Sequence, residues 1–391
     1  MSRLSERARN AAPSPTLAIT ARANALKAQG VDVISFAAGE PDFDTPEHVK
    51  AAAIEALQRG MTKYTPSSGI PALKEAICEK HQRENGLSYQ PGQVIVSAGA
   101  KHSIYNLFQA VLNPGDEVII PQPYWVSYPE QAKLAGGVPV IVDAPEANGF
   151  KVTAEAIAAA VTPKTKLIVL NSPSNPSGAV VEETELRKIA DLAVERDLLV
   201  LSDEIYEHLT YGRQHVSIAS FGPEIQARTL VVNGFSKAYS MTGWRLGWLA
   251  GDMEIVAAMG RIQDQSTSNP TSFAQFGAVA ALRGPQDCVE QMRVQFEKRR
   301  DYIVGRLNSI RGITCVTPEG AFYVLPSVEA LVNDKYPDGD ALAEYLLNEA
   351  KIAVIPGSGF GMPKHIRLSY ATSMEAIEKG IDRLEAATAA L

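Results

Sequence analysis

Thr229-Leu230-Val231-Val232-Asn233-Gly234-Phe235-Ser236-Lys237-Ala238-Tyr239-Ser240-Met241-Thr242-Gly243-Trp244-Arg245-Leu246-Gly247 begins as an apolar strand and ends on an arginine flanked by glycines. Lys237 follows the strand and sits among Phe, Ala, Tyr and Trp. Most lysines taken singly are solvated surface residues. These neighbours instead predict a desolvated amine, which loses its proton more readily and can attack an aldehyde. Arg245, eight residues on, lies where a glycine-rich backbone can wrap closely around an anion.

Working outward, further apolar runs are Val94–Ser97, Glu117–Ile120, Val138–Val142, Leu167–Leu170, Leu198–Leu201 and Leu246–Ala250. Their continuous apolar character predicts strands buried on both faces, as in a mostly parallel sheet. Helix candidates lie between them, such as Glu182–Arg196 with Leu186, Ile189, Ala190 and Ala193 at helical spacing. The alternation predicts an open α/β sheet covered by helices. From Gln291 the pattern changes to a long charged helix, Gln291–Leu307. Short strands follow at Ile313–Val316, Ala321–Leu325, Ile352–Ile355 and His365–Ser369, with a last helix from Met374. The Pro-rich, polar start reads as an arm and a return strand. The expected division is a large cofactor-binding domain over 46–290 and a small α+β domain over 291–391, with 1–45 as the arm and part of the small domain.

The 391 residues allow two domains, and 46% hydrophobic with 21% charged residues is an ordinary globular composition. A net charge of −7 argues against a nucleic-acid binder, which shows basic stripes. Cys78, Cys288 and Cys315 are odd in number and far apart, so they predict a reducing compartment rather than a disulfide framework. No signal-like or membrane-spanning run stands out, and a cytoplasmic protein is the expectation. The six histidines show no HExxH or clustered pattern, so no metal is expected.

Ligands of open α/β sheets sit at the carboxyl ends of strands, and three polar clusters fall there. Asn171–Gly178 is a turn by composition, in which Asn175 either serves the backbone or donates into the site. Asp203, in Leu201-Ser202-Asp203-Glu204-Ile205-Tyr206, is either a helix cap or the partner of a protonated ring nitrogen. Tyr206 could aim its hydroxyl at a phenolate oxygen on the same ring. Lys237 is the third cluster. An aldehyde for Lys237 and a phosphate for Arg245 on one molecule describe pyridoxal 5'-phosphate (PLP). Ser97-Ala98-Gly99-Ala100-Lys101 joins a strand to a helix start, where small residues let amides reach a phosphate, although many such turns look alike. Arg367, in His365–Tyr370, either faces water or forks onto a carboxylate. Gly357-Ser358-Gly359-Phe360-Gly361 lacks GxGxxG spacing, and Pro363 and a strand follow it instead of a helix, so it is no dinucleotide loop.

Taken together, Gly39-Glu40-Pro41-Asp42-Phe43, Lys63-Tyr64-Thr65-Pro66, Pro123–Tyr128, Asn175-Pro176-Ser177-Gly178, Asp203–Tyr206, Ser236-Lys237, Gly243-Trp244-Arg245 and Arg367 closely resemble the class I, fold-type I PLP-dependent aminotransferases. The match is to the aspartate aminotransferases of subgroup Iβ, over nearly the whole chain. The resemblance implies a mostly parallel sheet in a large domain plus a smaller α+β domain, and a homodimer with shared active sites. Lys237 would then bind the cofactor, Asp203 pair with its ring nitrogen, Asn175 and Tyr206 bind its phenolate oxygen, and Trp125 stack on its ring. Gly99, Ala100, Ser236 and Arg245 would hold the phosphate, with Tyr64 reaching it from the second subunit. Arg367 would take the substrate α-carboxylate, assisted by Asn175 and the Gly39 backbone, and Lys101 the distal carboxylate of aspartate or glutamate. Pro123 and Pro176 match positions that are cis. Members that also accept prephenate tend to carry Lys before Pro-Ser-x-Thr; here Ala12 precedes Pro13-Ser14-Pro15-Thr16. The implied activity is transfer of the amino group of aspartate to 2-oxoglutarate.

Overall fold

The computed structural model describes residues 3–13, 15–389 and 391. Their strands, in chain order, are β1 (Ile34–Ser35), β2 (Val94–Ser97), β3 (Glu117–Gln122), β4 (Val138–Asp143), β5 (Thr165–Asn171), β6 (Leu199–Asp203), β7 (Thr229–Gly234), β8 (Gly247–Ala250), β9 (Tyr323–Val324), β10 (Ile352–Ala353), β11 (Ile355–Pro356) and β12 (Ile366–Ser369). Seven form the central sheet in the order β2-β8-β7-β6-β5-β3-β4. Only β8 runs antiparallel to its neighbours.

The continuous apolar runs have a direct cause. Side chains of a strand alternate between faces, and in the inner strands both faces meet a core. The edge strand β4 departs from this expectation, with Val138 46% and Ile141 40% exposed, because no strand or core among the described residues covers its outer side. On β5, Leu167 and Val169 enter one apolar cluster and Ile168 and Leu170 another. On β7, Val231 packs on the opposite face from Leu230 and Val232. Each such aliphatic side chain contributes about 1.5–3 kcal/mol on burial. The helix Glu183–Glu195 buries Leu186, Ile189, Ala190 and Ala193, the stripe its sequence spacing predicts.

A second layer holds β11-β12-β9, antiparallel, and the parallel pair β1-β10. The helices Asp287–Ser309 and Met374–Thr388 pack on each other, and a core that includes Phe36, Phe296, Phe322 and Leu384 fills this layer. Through β1 the chain start is built into the same layer as the chain end.

Two further local expectations differ from the structure. Ile313–Val316 is not a strand; it makes only an isolated bridge, Thr314 to Ser327. The Asn308 side chain bonds both the amide and the carbonyl of Cys315, at 2.8 and 3.0 Å, which takes the groups a ladder needs. The N-terminal arm is largely helical, over Glu6–Asn10 and Pro15–Ala28. Pro15 stands at the first helical position, where its missing N–H costs nothing. Ser14 of the Pro-Ser-x-Thr run lies outside the described residues.

Under the central sheet His81 is fully buried and accepts a 3.0 Å hydrogen bond at Nε2 from Trp248 Nε1. Burial, with the nearby Lys80 charge, lowers its pKa from 6.5 to about 4. The folded value lies below the unfolded one, so the unfolded chain takes up the proton first. The stabilisation from neutral His81 is complete above pH 6.5 and is lost as pH falls towards 4. We expect the unfolding free energy to drop by roughly 2–3 kcal/mol across that window from this group alone. Denaturant titrations of the wild type and His81→Gln, which retains an acceptor, check this: the variant's curve should be flatter between pH 6.5 and 4.

Candidate active site

A cavity of about 420 Å³ opens at the carboxyl ends of β5, β6 and β7, bounded on its other side by the C-terminal layer. Its lining brings together Gly39, Ala100, Lys101, Trp125, Asn175, Asp203, Tyr206, Ser236, Lys237, Arg245 and Arg367. These residues are spread over more than 320 positions of sequence, and parallel strands with returning helices bring their ends to one place. Tyr64 is 91% exposed and stands apart from the cavity of its own chain.

Lys237 is partly buried, and its Nζ donates to the Gly39 carbonyl. Desolvation draws its pKa down to about 8; Glu40 and Asp203 oppose the shift, while Arg367 and Arg245 add to it. At the end of β6 the Asp203 carboxylate is 4% exposed. Burial pushes its pKa up to about 6, against hydrogen bonds from the Tyr128 hydroxyl at 2.7 Å and the Ile205 amide at 3.2 Å. It is thus a buried carboxylate whose nearest partners are neutral donors, and a cationic N–H would complete it.

Gly99 leads into the helix Ala100–Val111. Its φ is +91°, and a Cβ there would stand 2.6 Å from Arg245 Nη2. Arg245 is anchored by the carbonyls of Thr242 (2.9 Å) and Ala98 (3.3 Å), which draws the guanidinium to the helix start. A helix N-terminus, a buried Ser236 and an arginine therefore converge on the same corner, which suits an anionic oxygen cluster. Trp125 meets Tyr128 edge to face at 5.3 Å, and the Lys101 ammonium lies 4.8 Å from the Trp125 ring centre.

Arg367, on β12, is 2% exposed. It donates to Asn175 Oδ1 and to the Ala37 carbonyl, both at 3.0 Å, while its Nε has no hydrogen-bond partner among the described residues. The peptide bonds before Pro123 and Pro176 are cis, as is that before Pro173.

Similarity to known proteins agrees with this geometry. The model for "Aminotransferase class I and II" matches residues 31–384. The chain belongs to the class I and II aminotransferases. It is 54% identical over 384 residues to an aspartate aminotransferase of Bacillus sp. (strain YM-2), covering 98% of both chains. It is 51% identical over 387 residues to a probable aspartate/prephenate aminotransferase of Aquifex aeolicus, again covering 98% of both. The solved aspartate aminotransferase from Thermus thermophilus with maleate superposes with a TM-score of 0.95 at 47% identity, over 99% of this chain and 100% of that one.

Several residues of this aminotransferase site escaped the sequence reading. Tyr128 carries no local mark of its partner, Tyr323 lies in a two-residue strand too short to show a period, and Glu40 and Thr242 pair at 2.7 Å from distant segments. Thr16 and Thr20, on the helical arm, also line the cavity. Elsewhere the fold gathers Glu84, Glu207 and His208, and Glu204, Glu207 and His215, into groups dense enough for a metal. No spacing in the sequence announced them. The Lys80 ammonium pairs with Glu207, and Asn233 and Asn85 donate to it at 2.6 and 3.1 Å, so Glu207 is already satisfied by protein groups. These groups read as a buried ionic network supporting the β6 and β7 ends.

The Lys237 environment makes a testable claim. With small molecules removed, its reaction with an amine-directed acylating reagent should be half-maximal near pH 8. Surface lysines should follow the usual value of ~10.4. Peptide mapping across pH reads this, and a Lys237 midpoint near that of the surface lysines would show that the amine is not desolvated.

Proposed function

We propose that this aminotransferase moves the amino group of aspartate to 2-oxoglutarate by a ping-pong reaction, with PLP as its cofactor, in a cytoplasmic homodimer. The observation that carries the reading is the joint placement of a desolvated lysine, a buried carboxylate and two arginines around one cavity. Among the described residues no helix is long and apolar enough to cross a membrane.

The residues present fit PLP. Lys237 offers an amine to its aldehyde, Asp203 a buried carboxylate to its ring nitrogen, and Asn175 and Tyr206 offer groups to its phenolic oxygen. Gly99, Ala100, Ser236 and Arg245 surround a corner that a Cβ at position 99 would fill. Trp125 offers a ring face, and Tyr64 would come from the second subunit. When bound, PLP supplies an electron sink for the pair left behind when the substrate loses its Cα proton.

The chain's own residues supply the rest. Arg367 would bind the α-carboxylate, since its unpartnered Nε and its fork are already oriented by Asn175 and Ala37. With the Gly39 backbone it would set the Cα–H bond facing Lys237. The Lys237 amine, once free, would take that proton from Cα and deliver it to C4′ of the cofactor; a pKa near 8 suits both transfers. Asp203 would hold a proton on the ring nitrogen, and the Tyr128 hydrogen bond keeps one carboxylate oxygen fixed. Lys101, at the mouth beside Trp125, would select a second carboxylate.

We further propose that residues 46–290 act as a large domain on which 291–391, with part of 1–45, closes to exclude water. The Asp42–Arg299 pair, at 2.7 and 3.0 Å, ties the loop carrying Gly39 to the helix Asp287–Ser309.

A coupled assay for oxaloacetate tests the substrate assignment; turnover of alanine or phenylalanine without aspartate would sink it. Arg367→Lys should lower kcat/KM by about 10²-fold, from loss of a charged two-point contact. Lys101→Ala should raise KM for aspartate by roughly 10-fold or more while sparing a monocarboxylate donor. Borohydride reduction of the cofactor-loaded enzyme should place the pyridoxyl group on Lys237. Prephenate with glutamate as donor belongs in the same panel, because the Aquifex aeolicus relative carries that name whereas Ala12 stands here in place of lysine.

A further inference from the structure

Tyr323 stands where three parts of the site meet. It lies on β9 beside β12 and is 1% exposed. The Arg367 guanidinium sits 4.5 Å from its ring centre. Its hydroxyl is 2.9 Å from that of Tyr206, and both are buried. The same hydroxyl would be 2.9 Å from a Cβ at position 39, so glycine lets the backbone that receives Lys237 approach it.

Between two phenols only one proton lies on the line joining the oxygens, and the better acid donates it. A permanent cation over the Tyr323 face favours the charge that ring acquires as its O–H weakens. The Lys237 ammonium lies farther from the Tyr206 ring, at 5.8 Å, so its pull is weaker. Tyr323 is therefore the donor and Tyr206 the acceptor, which leaves the Tyr206 proton free to point elsewhere. The ionisable groups around the pair are Arg367, Asp203, Lys237 and Glu40.

We propose that Tyr323 is a positioning residue that donates to Tyr206, turns the Tyr206 proton towards the phenolic oxygen of the cofactor, and couples that contact to the charge on Arg367. The inference rests on the PLP reading above. A donor that also accepts a hydrogen bond is strengthened by it. When a substrate carboxylate neutralises Arg367, Tyr323 donates less strongly and Tyr206 in turn donates less. The phenolic oxygen then keeps more negative charge, and the lysine nitrogen beside it holds its proton more tightly. Carboxylate arrival at one end of the cavity thus alters proton affinity at the other.

The test is a pH titration of the visible absorbance of PLP-reconstituted enzyme. Tyr323→Phe keeps the ring against Arg367 and removes only the hydroxyl. Its midpoint should rise by about 0.5 pH unit or more relative to wild type. Tyr206→Phe should raise the midpoint further, and adding Tyr323→Phe to it should produce no additional shift. Saturating maleate should raise the wild-type midpoint, and by less in Tyr323→Phe. Equal midpoints in wild type and Tyr323→Phe overturn the proposal. So does a Tyr323→Phe shift that persists without the Tyr206 hydroxyl, and an undiminished maleate effect overturns the link to Arg367. Wild-type enzyme that develops no visible absorbance with PLP would instead overturn the cofactor reading, and this inference with it.

Discussion

Lys237 donates to the carbonyl of Gly39, a neutral acceptor from a segment nearly two hundred residues away. An ammonium held this way has lost water without gaining a full opposing charge, and its pKa falls accordingly. Much of the surrounding architecture serves to hold that amine in place. β7 delivers the lysine from below, and the arm and β1 bring Gly39 over it. The contacts of Thr45 with Ser240 and Trp244, at 2.8 and 3.0 Å, bind the two segments together.

The same logic of incomplete satisfaction runs through the cavity. Asp203 is buried with a phenol and an amide as donors, and Arg367 is buried with an Nε that has no hydrogen-bond partner among the described residues. Such groups are costly to leave as they are. The fold retains both at one cavity, where a cationic N–H would complete the aspartate and a carboxylate the arginine. The network around Lys80 and Glu207 makes the contrast. Lys80 and Glu207 are as buried and as charged, but they pair with each other, and Asn85 and Asn233 complete them.

Much of this was legible in the sequence. The doubly covered sheet showed itself because two cores demand apolar residues on both faces of a strand, as β5 and β7 illustrate. Lys237, Asp203 and Asn175 stood out because a strand end in an open α/β sheet is where polar residues become informative. The helix Glu183–Glu195 was visible through its spacing. The short pairings of the C-terminal layer were harder to read. Strands of two residues have no periodicity, and at Ile313–Val316 a side chain of Asn308 displaced the ladder that composition suggested.

The sequence by itself determined the strand and helix pattern and singled out Lys237, set among apolar neighbours, and Arg245, set between glycines. These follow from local chemistry, because the neighbours that make Lys237 unusual lie within a few positions of it. Only the tertiary structure decided that Tyr323 touches both Tyr206 and Arg367, that Tyr128 holds Asp203, and that Glu40 meets Thr242. A phenol or a carboxylate carries no sign of its partner in the chain. Its role is set by what lies within about 3 Å, and here that is fixed by the packing of two layers whose contacts join residues hundreds of positions apart.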